Sequence, residues 1–392
     1  MNILIFTDTY YPESNGIAVS SKTLVDVLKE HGHQVLVVTS IYDNKVPTNE
    51  NNIYYISFPN KNRRNLNTTI SIYKNKIFKH VKAFKPDIVH NQTNGPIGQL
   101  GRYTAKRLDI PFVFTYHKHF EEYAPYVEPG FINRIARAKE RRYLQRMANI
   151  STEFIAPSIK IKNYLRKKGV DKYINVISTG VNVKDFECDE SVKKDHKHIC
   201  KKYGIDEKDK ILIFVGGLSE EKNIDLLLKC FATYLHSETA LPTKLLIVGD
   251  GDQIDTLKQL ISELDIEDKV IFVGKVNHDR IKTYLDLADV FVTASTSETQ
   301  NISAMEAMSS RCLVLLKEDE ALMGFIERDQ NGFTFNDDVQ FAYELNRIFS
   351  LSEKEIEKVK KSAYKTILND FSLENYYQRI MEVYDRAKRK IR

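Results

Sequence analysis

Met1-Asn-Ile-Leu-Ile-Phe-Thr-Asp8 carries the tetrapeptide Ile-Leu-Ile-Phe at residues 3–6, and the same tetrapeptide returns at 211–214. Each copy is followed by a polar, glycine-containing loop and a helical pattern. A short apolar run without polar alternation suits a strand covered on both faces, as a parallel sheet requires. One such match can arise by chance, so its weight comes from position: each copy opens a series of alternating strand and helix patterns. The first series continues through Val35–Val38, Ile53–Phe58, Ile88–His90, Phe112–Tyr116, Phe154–Ala156 and Val176–Ile177. The second continues through Leu245–Val248, Val270–Val273, Val290–Thr293 and Leu313–Leu316. Repeated βαβ units predict an α/β protein of two Rossmann-like, doubly wound domains facing across a cleft.

A chain of 392 residues exceeds one ordinary core. The expected division is an amino-terminal domain, 1–180, a carboxy-terminal domain, 181–370, and a helix, 371–392, with the boundary near Thr179-Gly180-Val181-Asn182. The helix carries Tyr376, Tyr377, Ile380, Val383 and Tyr384 on its apolar side. That side is able to pack on either half, the amino-terminal domain included.

With 42% hydrophobic and 28% charged residues the composition is that of a folded globular protein. Cys188, Cys200, Cys230 and Cys312 stand apart without zinc spacing, which fits a reducing compartment. No apolar stretch approaches the roughly 20 residues of a spanning helix, and the first residues lack a signal-peptide pattern. The expectation is a cytoplasmic protein, soluble or peripheral on the inner face of the membrane, which disfavours a periplasmic two-lobed binder. Charge is divided unevenly: 28 Lys and Arg stand against 15 Asp and Glu up to Asp185, and 30 against 38 after it. The first half is thus expected either to face an anionic partner or merely to be solvated.

The most specific stretch is Ala294-Ser-Thr-Ser-Glu-Thr-Gln-Asn-Ile-Ser-Ala-Met-Glu-Ala-Met308, directly after the strand pattern Val290–Thr293. It places Glu298 in a loop and Glu306 inside the next helix, with seven residues between them. One carboxylate can hold sugar hydroxyls and the other ribose hydroxyls, while the N–H groups of Asn301 and Ile302 begin a helix and can bind phosphate. Alone, the spacing fits an ordinary helix start better than a donor site.

These residues resemble the Glu-seven-Glu motif of retaining glycosyltransferases with the GT-B fold, and Ser-Thr-Ser-Glu-Thr-Gln resembles the subgroup that glucosylates diacylglycerol. The resemblance runs along nearly the whole chain. Phe6-Thr-Asp-Thr-Tyr-Tyr-Pro-Glu-Ser-Asn-Gly-Ile-Ala-Val-Ser20 is similar to the family's first loop, whose glycine, here Gly16, lets backbone approach the donor phosphates. Thr115-Tyr-His-Lys-His-Phe-Glu-Glu-Tyr123, Ser178-Thr-Gly-Val-Asn182, Leu218-Ser-Glu-Glu-Lys-Asn223 and Val248-Gly-Asp-Gly251 match further segments. The resemblance implies a nucleoside-diphosphate sugar donor, UDP-linked, with Lys222 neutralising its diphosphate. It implies His117 beside the reacting sugar, Glu298 on the sugar ring, Glu306 on the ribose, and transfer with retention to an acceptor hydroxyl without a cofactor or metal.

The family pattern is departed from in three places. Gly217 replaces an arginine of the diphosphate loop, Asn301 replaces a glycine, and Ser309-Ser-Arg-Cys-Leu-Val314 replaces Ala-Ser-Gly-x-Pro-Val, where Arg311 either restores a cation or is simply exposed. Asp250-Gly-Asp252 has the look of a metal motif, but after a strand it reads as a turn. His119, beside His117, carries no separate assignment.

The acceptor is read from charge. Residues 132–147 form a helical pattern with Ile132, Ile135, Ala136, Tyr143 and Met147 on one side and Arg134, Arg137 and Arg141 on another. Lys61, Arg63, Arg64, Lys74, Lys76, Lys79, Lys82 and Lys85 add to the same half. Such a helix either meets an anionic membrane surface or packs on the core with a solvated back. Nucleic acid is disfavoured, since no binding module accompanies the charge. A diacylglycerol-type lipid is the favoured acceptor, with a wall or capsule glycan, a lipid-linked sugar or a protein as alternatives. A catalytically weakened binding subunit is the alternative of another class.

Overall fold

The computed structural model describes residues 1–11, 13, 15–42, 52–58, 77–117, 131–187 and 190–391, with side chains excluded at 41–42, 57–58, 131–136 and 190–194. His119, Lys61, Arg63, Arg64, Lys74, Lys76 and Cys188, and the side chains of Ile132, Arg134, Ile135 and Ala136, lie outside the described residues. The described chain divides into two compact units, 1–180 with 373–392, and 181–372.

The first unit contains strands β1 (Asn2–Thr7), β2 (Gln34–Tyr42), β3 (Ile53–Phe58), β4 (Ile88–Asn91), β5 (Phe112–Thr115), β6 (Glu153–Ala156) and β7 (Ile174–Val176). Its helices are α1 (Gly16–Glu30), α2 (77–84), α3 (Pro96–Leu108), α4 (Phe131–Ile150), α5 (Ile159–Lys167) and, after the whole second unit, α13 (Leu373–Arg389). The sheet is parallel, in the order β3-β2-β1-β4-β5-β6-β7. Ile3 pairs with both Val35 and Ile88, so the Ile-Leu-Ile-Phe run occupies the middle of the sheet and is fully buried.

The second unit holds β8 (Lys210–Val215), β9 (Thr243–Val248), β10 (Val270–Gly274), β11 (Val290–Thr293), β12 (Leu313–Lys317) and β13 (Phe333–Phe335). Its helices are α6 (Glu190–Tyr203), α7 (Ile224–Leu235), α8 (Ile254–Glu263), α9 (His278–Leu287), α10 (Ile302–Ser309), α11 (Asp338–Ser350) and α12 (Glu353–Thr366). Its strand order is β10-β9-β8-β11-β12-β13, again parallel. Each sheet is covered on both faces by its own apolar layers, which explains the unbroken apolar runs.

Strand β13 was not expected from the sequence. Its three residues, Phe333-Thr-Phe335, are too few to show a period, and pairing of Phe333 with Leu315 defines it instead. The last strand of the first sheet is Ile174–Val176 rather than Val176–Ile177, because Ile174 pairs with Phe154.

Helix α13 packs on the first unit. Tyr376, Ile380, Val383, Tyr384 and Ala387 are buried among Ile3, Ile5, Leu24 and Val35. The Tyr377 ring stacks on His31 with centroids 3.6 Å apart. Glu153, on β6 and only 2% exposed, receives Lys390 Nζ at 2.6 Å and Asn175 Nδ2 at 2.9 Å, with Arg386 Nε 3.9 Å away. A carboxylate buried this far requires such partners, since an unpaired one costs several kcal/mol.

Candidate functional site

In open parallel sheets, ligands bind beyond the carboxyl ends of the strands where strand order reverses. In the second unit the order reverses between β8 and β11. After β8 the chain makes a turn at Glu220–Lys222 and enters α7 through Asn223, whose φ of 49° is left-handed. After β11, residues 294–300 lead into α10. Side chains join the two segments. Asn223 Nδ2 donates to the Ala294 carbonyl at 3.4 Å and to the Thr296 hydroxyl at 3.3 Å, and the Ser297 hydroxyl donates to the Glu221 carbonyl at 2.8 Å. Lys222 Nζ donates to Glu298 Oε1 at 2.6 Å, each side chain being about a quarter exposed. An ammonium has three donors, so Lys222 can keep this carboxylate and still reach a phosphate.

The next residues begin α10. The Asn301 side chain caps the helix by accepting from the Ala304 amide at 3.3 Å, while the Ile302 amide donates to the Gln300 carbonyl at 3.1 Å. Of the two amides expected to bind phosphate, that of Ile302 is therefore already engaged, and a phosphate would have to replace the carbonyl. Deeper in α10, Glu306 is 8% exposed and its Oε1 lies 2.8 Å from His278 Nε2, on α9. That bond raises the His278 pKa, against the lowering effect of burial. Phe186 meets the His278 ring edge-on. His278 went unread because Val276-Asn-His-Asp279 is an unremarkable helix start, 28 residues from its partner.

The turn after β9 supports the same corner. A Cβ on Gly249, where φ is +147°, would lie 1.8 Å from the Gly216 carbonyl oxygen, and one on Gly251 would lie 2.2 Å from that of Leu218. Val248-Gly-Asp-Gly251 thus carries glycine because it lies flat on the loop that follows β8. Asp250 Oδ1 accepts from the Gly251 amide at 2.8 Å, as a turn residue does. Gly217 is exposed, and a Cβ there would meet nothing within 4 Å. Arg311 lies beyond the opposite end of α10 from Asn301, with its guanidinium 4.9 Å from the Tyr364 ring centroid. It does not replace the cation missing at Gly217.

Gly16 and His117 belong to the first unit, where strand order reverses between β1 and β4. Asp8, after β1, accepts from the Thr93 hydroxyl and from the Ile97 amide at 2.9 Å, joining the loops that follow β1 and β4. Burial raises its pKa. Gly16 begins α1 behind the Asn15 cap, and its Cβ position is open, so nothing in the first unit itself requires glycine there. His117 follows β5 half-buried, with Nε2 2.7 Å from Gln92 Oε1. Burial lowers its pKa to about 4, leaving a neutral imidazole. Gln92 was missed, although the polar run His90-Asn91-Gln92 ending a buried strand was its available signal.

On α4, Leu144, Met147 and Ala148 are buried in the core and Tyr143 is half-buried, while Arg137, Arg141, Arg142 and Arg146 are exposed. Along its described side chains the apolar face is used inside the unit except for the exposed Ile150, and the arginines are turned outward. Among the described residues no helix is long and apolar enough to cross a membrane.

The family model "Glycosyl transferases group 1" matches residues 195–366, and "Glycosyltransferase Family 4" matches 14–185. The alpha-monoglucosyldiacylglycerol synthase of Streptococcus pneumoniae is 30% identical over 98% of this chain and 85% of its own length. The synthase of the same name from Acholeplasma laidlawii is 26% identical over 89% of this chain and 88% of its own. Among solved structures, Anabaena HepE in complex with UDP-glucose superimposes with a TM-score of 0.74 at 17% identity, covering 98% of this chain and 99% of that one. With a relative of 30% identity along nearly its whole length and two parallel-sheet units matched by successive family models, the chain belongs to the group 1 glycosyltransferases of the GT-B fold.

Proposed function

We propose that this glycosyltransferase moves glucose from UDP-glucose, with retention, to a hydroxyl of a diacylglycerol-type lipid at an anionic membrane surface. The observation that carries the reading is the Lys222–Glu298 pair at the strand-order reversal of the second sheet, with Glu306 on the helix that follows. Lys222 would balance the diphosphate as the bond to the anomeric carbon breaks, Glu298 would hold the sugar and Glu306 the ribose. The leaving phosphate would take the acceptor proton, and His117 would stand beside the reacting sugar. The lipid acceptor is supported by the names of the two synthases, and the donor by the UDP-glucose held by HepE. The exposed arginines of α4 would attract acidic headgroups, each near the surface adding about 1 kcal/mol. The test is incubation with labelled nucleotide sugars and vesicles of diacylglycerol and anionic lipid, extraction into organic solvent, and assignment of the anomeric configuration by NMR. Label confined to the aqueous phase sinks the lipid acceptor, a preference for another nucleotide sinks the donor, and a β-linked product sinks retention.

A further inference from the structure

The first unit buries a chain of polar side chains that runs from α13 to His117. Tyr384 and His90 are fully buried, with the tyrosine hydroxyl 2.8 Å from His90 Nδ1. His90 Nε2 lies 2.7 Å from the Thr115 hydroxyl and 3.1 Å from Gln92 Nε2. Gln92, 1% exposed, turns its Oε1 toward His117 Nε2 at 2.7 Å. Core packing does not call for such a set, because apolar side chains fill the same space without needing partners.

The amide dictates the role of each ring. Its oxygen only accepts and its nitrogen only donates, so the ring on the oxygen side must supply an N–H and the other a lone pair. His117 therefore carries its proton on Nε2. His90 accepts at Nε2 and carries its proton on Nδ1, toward the Tyr384 oxygen. Burial keeps both rings neutral, lowering His117 to about 4 and His90 to about 3. Each ring then has a single N–H to place, and Nδ1 of His117 is left as an acceptor.

We infer that Gln92 is a positioning residue for sugar transfer: it fixes the ring orientation and tautomer of His117 so that Nδ1 accepts a hydrogen bond from a hydroxyl at the reacting centre. His90 and Tyr384 hold the amide in that sense from behind. The inference rests on the assignment of His117 to the reacting sugar, and it makes the ring an acceptor rather than a proton donor to the leaving phosphate. It also makes turnover depend on a tyrosine of α13.

Nitrogen NMR on isotope-labelled histidines reads the tautomer directly, with the His117 signal identified by its loss in His117→Ala. The expected wild-type signal has the proton on Nε2. Gln92→Leu should show both tautomers, whereas Gln92→Glu, which still offers His117 an acceptor, should keep the proton on Nε2. In steady-state kinetics Gln92→Leu should lower kcat by about tenfold to a hundredfold with KM for the nucleotide sugar within about twofold, and Gln92→Glu should recover part of the loss. Tyr384→Phe should lower kcat by about three- to tenfold. A wild-type His117 protonated on Nδ1 overturns the inference whatever the variants do, and so does an unchanged tautomer in folded Gln92→Leu. If the tautomer changes in Gln92→Leu and turnover does not, Gln92 still positions the ring, and it is the placement of His117 at the reacting centre that fails.

Discussion

Lys222 Nζ and Glu298 Oε1 are 2.6 Å apart, although 76 residues separate them in the chain. Before any donor arrives, the cation expected on the diphosphate is thus partly balanced by the carboxylate expected on the sugar. Glu298→Gln removes that countercharge, so free UDP should bind at least as tightly as to wild type while transfer falls. Lys222→Ala should lose about 10- to 150-fold in UDP affinity, the worth of a hydrogen bond to a charged group. Titration calorimetry on both variants decides it, and equal losses of UDP affinity would end the division of roles.

Glu306 is held by His278, and a ribose would have to share or displace that bond. The His278 pKa is raised first by its bond to Glu306 and further by the charges of Glu306, Asp185 and Asp279, against burial. Protonated His278 grips Glu306 most firmly below the ordinary histidine value of 6.5 and lets go as pH rises through the raised one. UDP affinity should therefore increase with pH across that window in wild type and stay flat in His278→Gln. A wild-type curve parallel to the variant's would refute the competition.

His117→Ala should reduce turnover with UDP affinity nearly intact, because the residue is assigned to the reacting sugar rather than the nucleotide. Steady-state rates alongside calorimetry test this, and unchanged turnover removes His117 from the site.

Two neutral histidines, His90 fully buried and His117 half-buried, also set the response to acid. The unfolded chain takes up protons near 6.5, while the folded protein withholds them until about 4 at His117 and about 3 at His90. More protons are then bound by the unfolded state, so stability falls as pH drops through this range. Thermal melting should show His90→Gln with a lower Tm than wild type at pH about 7.5 but a flatter decline toward pH about 4. Parallel declines would mean that His90 is protonated in the folded state.

The open position of Gly217 makes Gly217→Arg a gain rather than a clash. A partly exposed guanidinium is worth about 0.5–1 kcal/mol, so UDP should bind about two- to fivefold more tightly. Unchanged affinity, measured at low salt, would place the diphosphate away from this loop.

Buried parallel strands were legible because both of their faces are covered, and Ile211–Val215 or Leu245–Val248 advertise that as unbroken apolar runs. Phe333–Phe335 did not, since its membership is decided by pairing with Leu315 and not by its own pattern. Glu298 and Glu306 could be picked out because one loop and helix carry a local motif that resembles a known family's. Lys222 was legible through the same resemblance, but its pairing with Glu298 was not, and His278 was not legible at all, because both contacts are made only by the fold of the whole sheet. The apolar residues of α4 were readable as a face, but that its described members Tyr143, Leu144, Met147 and Ala148 meet the core is decided by neighbours such as Phe112 and Phe154, which share their apolar cluster.

The placement of α13 has a consequence for synthesis on the ribosome. The second unit is made from one continuous stretch, 181–372, and can close as soon as that stretch emerges. The first unit, begun earlier, must wait: until residues 376–390 are made, Ile3, Ile5 and Val35 lack their cover and Glu153 lacks Arg386 and Lys390. The part translated first is therefore the part finished last, and during that delay its unfinished face is what a chaperone would find.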